Sequence, residues 1–217
     1  QNRAIELGLL LSLPAAVGLV IASHPVIAVV YQRGAFTAAD TGRVAAALSA
    51  VAIGLPAYVL NKALAPGFLA REDTMTPFRF AMIAVGADIA VSLSLFPWIG
   101  YIGIACGTAA AAWINAAMLY WRLHQRGMLR LDQHLKRTGP RLLLSAAVMG
   151  VALWFAIPPV QTWFGGGNLA HIGAMLSLMS GALWLYAMAV LLTGAVSLAD
   201  LRRRLRRRTV TGEQAGG

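Results

Sequence analysis

The sequence predicts an all-α, polytopic transmembrane helix bundle of about six spans, and three observations carry that prediction. Hydrophobic residues make up 59% of the chain and charged residues 12%, against roughly a quarter charged in an ordinary soluble domain, so a water-facing surface cannot be built from them. The apolar residues come in blocks of roughly 20, the length that crosses about 30 Å of hydrocarbon. The blocks lack period-two alternation, and a backbone in lipid must satisfy its own hydrogen bonds, which makes them helices rather than barrel strands.

In chain order the predicted spans are A (5–30), B (43–65), C (78–98), D (99–121), E (141–160) and F (169–196). Pro14 and Pro25 in A and Pro56 in B each remove a backbone donor, which predicts kinks or a broken end covered by neighbouring helices. Thr37 with Asp40 three residues on is a capping-box pattern ahead of B, and Thr76-Pro77 reads as an N-cap and first-turn proline for C. Gly103 and Gly107 give D a small-xxx-small face that lets a neighbouring backbone approach. The resulting organisation is 1–121 as four helices of one lobe, 122–140 as a basic linker, 141–196 as a terminal helix pair and 197–217 as a basic tail.

Lysine and arginine placement sets the orientation, because basic loops stay in the cytoplasm. The D to E connection carries Arg122, Arg126, Arg130, Lys136, Arg137 and Arg141, the tail adds Arg202, Arg203, Arg204, Arg206, Arg207 and Arg208, and the B to C loop adds Arg71 and Arg79. The opposite side has Arg33 and Arg43, with none in the C to D turn or at Gly165-Gly166-Gly167. Both ends are therefore expected in the cytoplasm. The net charge of +10 is mostly topological, with attraction to anionic headgroups added, and nucleic acid is not an expected partner. The chain starts at Gln1 with neither a basic n-region nor a small-residue cleavage site in its first block, which reads as the interior of a longer protein.

Catalysis has no visible carrier. Cys106 is single and lies in an apolar block. His24 and His171 fall on the outer side, His124 and His134 on the cytoplasmic side, without metal-ligand spacing. The glycine run at 165–167 lacks the lysine of a phosphate loop.

Three stretches carry a family resemblance. The first is Arg33-Gly34-Ala35-Phe36-Thr37 with Asp40. The second is Ala65-Pro66-Gly67-Phe68 with Ala70-Arg71, Asp73-Thr74 and Thr76-Pro77. The third is Asn115-Ala116 with Leu119-Tyr120-Trp121. Together they resemble the MurJ (MviN) family of lipid II flippases, in the multidrug/oligosaccharidyl-lipid/polysaccharide exporter superfamily. A tight turn with a helix start explains Pro66-Gly67 and Thr76-Pro77 but not Phe68, Arg71 and Asp73 together, so the middle stretch is the most specific. The resemblance covers nearly all of 5–196 and implies that A to F are the ninth to fourteenth helices of a fourteen-helix transporter. It implies a bacterial cytoplasmic membrane protein that is not an enzyme. Its work would be turning undecaprenyl-linked peptidoglycan precursor to the outer leaflet by alternating access, with lipid II, membrane lipids and a missing N-terminal lobe of the same protein as partners. The family's headgroup-binding arginines belong to segments outside this chain.

Asp88 stands out because an ionisable group in mid-span is costly and functional by default. It lies ten residues before a turn near Trp98 and Ile99, and Thr108 nine after it, so both sit roughly 14 to 15 Å deep at 1.5 Å per residue. Ser92 shares the Asp88 face, and Ile104 lies at its depth on D. A carboxylate, two hydroxyls and the Ile104 carbonyl suit a hard cation, which makes Asp88, Ser92, Ile104 and Thr108 a predicted part of a sodium-type site. The sodium ion is the one bound species expected, with no organic cofactor. The resemblance implies polar residues at matching positions and a further acid from a helix outside this chain, though Ser92 stands where the family more often has an amide or acid. The other reading leaves Asp88 lining an aqueous cavity or protonated by burial.

Asn61 and Lys62 close span B and are the substrate-path candidates, Lys62 either meeting a phosphate or snorkelling. Asn115 is expected to bond a neighbouring helix. Spans E and F are rich in Leu, Ala, Met and Trp. The resemblance implies a groove there for a polyprenyl tail, whereas the residues alone also suit a lipid-facing surface anchored by Trp154, Trp163 and Trp184. The competing functions are an exporter of another polyprenyl-linked oligosaccharide and, in a different class, a membrane enzyme or scaffold acting on such lipids.

Overall fold

A computed structural model describes residues 2–31, 34–127, 133–163 and 168–192, with the backbone alone for 133–137, 159–163 and 168–172. Within those bounds all the regular structure is helical: α1 (Asn2–Tyr31), α2 (Ala38–Leu64), a single turn α3 (Pro66–Leu69), α4 (Met75–Ile99), α5 (Tyr101–Gln125), α6 (Gln133–Trp163) and α7 (Asn168–Leu192). All but α3 are long and apolar enough to cross a membrane, so the six-span all-α prediction holds.

Helix ends follow local chemistry. Helix α2 starts five residues before the predicted span because the capping box is real: the Thr37 hydroxyl accepts from the Asp40 amide at 3.3 Å, and the Thr37 amide donates to Asp40 Oδ2 at 3.0 Å. Thr76 is not the N-cap of the next span. The cap position is Thr74, whose side chain makes no cap bond. The Asp73 carboxylate does the capping, accepting the Thr76 amide at 3.0 Å and the Thr76 hydroxyl at 2.8 Å. An anionic acceptor at the positive end of a helix outcompetes a neutral hydroxyl. Pro77 keeps its place in the first turn, where its missing N–H has no intrahelical acceptor.

The prolines do not end their helices. Helix α1 runs unbroken through Pro14 and Pro25, and α2 through Pro56. Pro14 has no N–H for the Leu10 carbonyl, and the Tyr186 hydroxyl of α7 donates to that carbonyl instead, at 2.9 Å. The Ile53 carbonyl, one turn before Pro56, accepts Trp113 Nε1 from α5 at 3.0 Å.

Packing runs in a chain, α4 on α5, α5 on α2 and α2 on α1, with α6 and α7 against the other side of α1. Small residues set the close approaches. Ala57 of α2 is buried on Ala112 and Ala116 of α5, and a Cβ at Gly54 would stand 3.1 Å from the Ala109 backbone. Ser49 bonds Ser23 across α2 and α1 at 2.8 Å. In a bilayer such contacts replace the hydrophobic drive between helices. Two larger clusters complete the core. One gathers Ile5, Leu64, Phe68, Leu119 and Leu123, and the other gathers Leu13, Leu142, Met149, Leu153 and Tyr186. Most of the predicted linker is helical, since α5 reaches Gln125 and α6 begins at Gln133.

Candidate functional site

Helices α4 and α5 form a hairpin about Gly100, whose φ of 60° belongs to the left-handed region that glycine occupies without steric cost. Counting outward from that turn aligns the predicted site. Asp88 is half-buried on α4, and Ser92, one turn on, donates its hydroxyl to Asp88 Oδ1 at 3.1 Å. Gly107 of α5 lies directly against the pair. A Cβ there would sit 2.7 Å from Asp88 Oδ1 and 2.9 Å from the Asp88 carbonyl, and closer still to Ser92 Oγ. Only a residue without a side chain admits both oxygens at this crossing. Gly103 does the same one turn earlier, with a Cβ position 2.9 Å from that of Leu95.

The other two predicted donors pair with each other. Thr108 donates its hydroxyl to the Ile104 carbonyl at 2.9 Å. The four oxygens thus form two pairs, one on each helix, and Gly107 of α5 touches the Asp88–Ser92 pair. Tyr58 of α2 adds a third helix by donating to the Thr108 carbonyl at 3.3 Å, and it lies within electrostatic reach of Asp88. Every predicted ligand atom is oxygen, the type that hard cations take, and both hydroxyls keep lone pairs while the Ile104 carbonyl already accepts the Thr108 hydroxyl. Among the described residues no three of His, Cys, Asp and Glu gather.

Asn61 turns toward α5, giving Nδ2 to the Ala112 carbonyl at 3.1 Å and burying Oδ1 without a partner. Lys62 is exposed beside it. Asn115 likewise buries an unpartnered Oδ1.

The family hairpin has a physical explanation. Pro66 opens α3, with Gly67 next, and this single turn places Phe68, fully buried, among Ile5, Leu64, Leu119 and Leu123. Glu72 takes a left-handed φ of 59° as the chain turns back. Asp73 caps α4 and forms an ion pair with Arg126 at the end of α5, at 2.5 Å. The Arg126 guanidinium also lies over the Phe68 ring, 5.8 Å from its centre, a cation–π distance. The Arg126 hydrogen bond first, then the bond from the Thr76 amide, hold the Asp73 carboxyl down at about 2. Arg71 is exposed, and nothing in the fold explains it.

Sequence reasoning missed Arg126, which it counted only as a topological charge, as well as Tyr58, Trp113 and Tyr186. The signal for Arg126 was present. Asp73 stands 27 residues before Gly100 and Arg126 stands 26 after, so an antiparallel hairpin brings them level.

A second feature is an apolar groove of about 560 Å³ between α1, α6 and α7, walled by Leu10, Pro14, Gly18, Met149, Leu153 and Tyr186 among others. Ala182 and Ala187 face it. Ala174, by contrast, is buried in packing, and Gly181 is exposed away from the groove. Trp154 and Trp184 are exposed at 66% and 72%, as lipid-facing anchors are. The readings on Arg33, Arg130, Gly165-Gly166-Gly167, the tail arginines and the side chains of His134, Lys136, Arg137, Trp163 and His171 lie outside the described residues.

The family model "Lipid II flippase MurJ" matches residues 1–194. A Rhizobium tropici protein named "Probable lipid II flippase MurJ" is 42% identical over 96% of this chain and 39% of its own length. A Rhizobium meliloti protein of the same name is 37% identical over 95% of this chain and 39% of its own. The chain therefore spans about two fifths of the length of the curated relatives it matches. A solved structure titled "Lipid II flippase MurJ, inward closed conformation" shares the fold, with a TM-score of 0.66, 24% identity, and coverage of 87% of this chain and 37% of that one.

Proposed function

The chain belongs to the lipid II flippase MurJ family, and on that premise we propose that it supplies the last six spans of a flippase carrying lipid II across the bacterial cytoplasmic membrane by alternating access. The observation that carries this reading is the match over residues 1–194, joined to a mid-span carboxylate that Ser92 bonds on α4 and that Gly107 of α5 lies against. The basic residues Lys62, Arg71, Arg79, Arg122 and Arg126 fall at the α2, α4 and α5 ends away from the Gly100 turn, and that end is cytoplasmic by the positive-inside rule.

Asp88, Ser92, Thr108 and the Ile104 carbonyl contribute to a sodium-type site that biases one state of the transport cycle. An ion shifts such an equilibrium only by its differential affinity for the two states, and ligands divided between α4 and α5 are what a relative movement of the two helices would separate. The groove between α1, α6 and α7 takes the polyprenyl tail, its apolar wall suiting a hydrocarbon chain. Lys62, exposed at the basic end of α2, lies along the headgroup's path, while Asn61 beside it packs on α5.

Complementation of a flippase-depleted strain tests this. Full-length protein carrying Asp88→Ala or Thr108→Ala is expected to lose function as external sodium is lowered, while the wild type survives. Wild-type behaviour of both variants at every sodium level would remove the cation site. Full-length wild-type protein that translocates a different polyprenyl-linked sugar in preference to lipid II would favour the broader exporter reading.

A further inference from the structure

Helix α4 is held differently from its neighbours. Ala84 is its one buried residue, and among the described residues its substantial packing is on α5 alone, with Phe80 reaching the Phe68 cluster. Gly103 and Gly107 of α5 lie against its middle, and its two ends are tied separately. One end is the Gly100 turn, and the other is Asp73, gripped by Arg126 across the hairpin.

We propose that Arg126 and Asp73 form a latch over Phe68 that holds α4 in place on α5 and thereby sets the geometry of the Asp88 site, making both positioning residues for that site. The proposal rests on the cation reading for its transport readout and on the hairpin geometry for its structural one. Three observations converge on the latch. Arg126 is tied at once to a carboxylate and to a buried ring, so its position is fixed by α3 as well as by α4. Asp73 uses both oxygens, binding Thr76 of α4 as well as Arg126 of α5, so a force on one helix reaches the other through a single side chain. Phe68, the platform beneath, is packed by residues of α1, α2 and α5, so the latch anchors α4 to the whole four-helix unit.

Lever arithmetic connects the latch to the site. Asp73 lies 27 residues from Gly100 and Asp88 lies 12, which is roughly 40 Å and 18 Å of helix at 1.5 Å per residue. Swinging about the turn, α4 moves Asp88 by a little under half of whatever opens at Asp73. An opening of about 4 Å, enough to break an ion pair, displaces Asp88 by about 1.8 Å. The full range of good hydrogen-bond lengths is only about 0.5 Å wide, so that displacement takes Asp88 off the Gly107 contact.

The plainer alternative is that Asp73 does nothing but cap α4. The variant Asp73→Asn separates the two, because the amide oxygen still accepts from Thr76 while the charge pair is lost. The experiment uses the full-length protein in nanodiscs with Cys106→Ala. Spin labels at Phe78→Cys on α4 and Trp121→Cys on α5, both exposed, report separation by dipolar broadening. In parallel, proteoliposomes give the sodium concentration for half-maximal lipid II translocation.

Arg126→Ala and Asp73→Asn are each expected to weaken the broadening and raise that sodium concentration at least about tenfold, as loss of a ligand-orienting partner does elsewhere. Arg126→Lys, which keeps the charge but not the flat contact with Phe68, should fall between. Unchanged broadening in both variants overturns the latch, whatever the sodium constant does. Weakened broadening with an unchanged sodium constant overturns the link to Asp88. Weakened broadening in a protein whose wild type needs no sodium sinks the cation reading and leaves the latch standing.

Discussion

Removing one oxygen from Tyr186 tests how this bundle tolerates proline in a span. In α1, Pro14 leaves the Leu10 carbonyl without its intrahelical donor, and the Tyr186 hydroxyl fills that role at 2.9 Å from a position 176 residues away. Tyr186 is 5% exposed, packed with Leu13, Met149 and Leu153, so Tyr186→Phe keeps the ring contacts and deletes only the donor. A carbonyl left bare in an apolar setting costs about 1–3 kcal/mol, and interhelical hydrogen bonds measured in bilayers average about 0.6 and reach about 1.7 kcal/mol. The expected loss is therefore about 1–2 kcal/mol. In a Pro14→Ala background the backbone N–H returns, Leu10 regains its own partner, and the same Tyr186→Phe change should cost less than about 0.5 kcal/mol. A double-mutant cycle by denaturant titration of the full-length protein in mixed micelles measures the difference. Equal losses in the two backgrounds would refute the idea that Tyr186 substitutes for the bond that Pro14 withholds.

Gly107→Ala places a methyl group 2.7 Å from Asp88 Oδ1; overpacking of this kind costs about 1–3 kcal/mol, and lost sodium response with retained membrane insertion is the expected outcome in complementation. Ala187→Trp, on the exposed groove wall, should impair lipid II translocation while leaving thermal stability near wild type, whereas the same change at Gly181, away from the groove, should be silent. Asp73 has a folded-state carboxyl held down at about 2 from the usual 3.8. A depressed carboxyl contributes stability above its unfolded value and loses it as pH falls through the folded one. The stability gap between wild type and Arg126→Ala, followed by unfolding titrations, should accordingly be flat across about pH 5 to 8 and close as pH drops from 3.8 toward 2.

Much of this was legible in the residues because membrane helices announce themselves by length, and a hairpin obeys simple counting. The six spans and the Thr37 to Asp40 cap follow from hydrophobic runs and cap spacing, while counting from the turn set Asp88 level with Thr108 and left its contact with Gly107 to be seen in the fold. The first turn of α4 was misread because Thr76 and Asp73 are both competent caps on paper, and the contest is decided by charge and by Arg126. Prolines revealed which carbonyls lose a donor but not which side chain replaces it. Tyr186 is remote in sequence, and nothing local marks it. Asn61 was placed at the right end of α2, yet its turn toward the Ala112 carbonyl depends on the close α2–α5 approach set by Gly54 and Ala57.

Every functional statement rests on the hairpin ends facing opposite sides of a bilayer. Single cysteines at Trp98→Cys near the Gly100 turn and at Glu72→Cys beside the latch, in a full-length Cys106→Ala protein, can be probed in intact cells with a membrane-impermeant maleimide. Labelling near the turn with protection beside the latch is the predicted result. Labelling at Glu72→Cys with protection at Trp98→Cys would invert the topology and contradict the transport reading built on it.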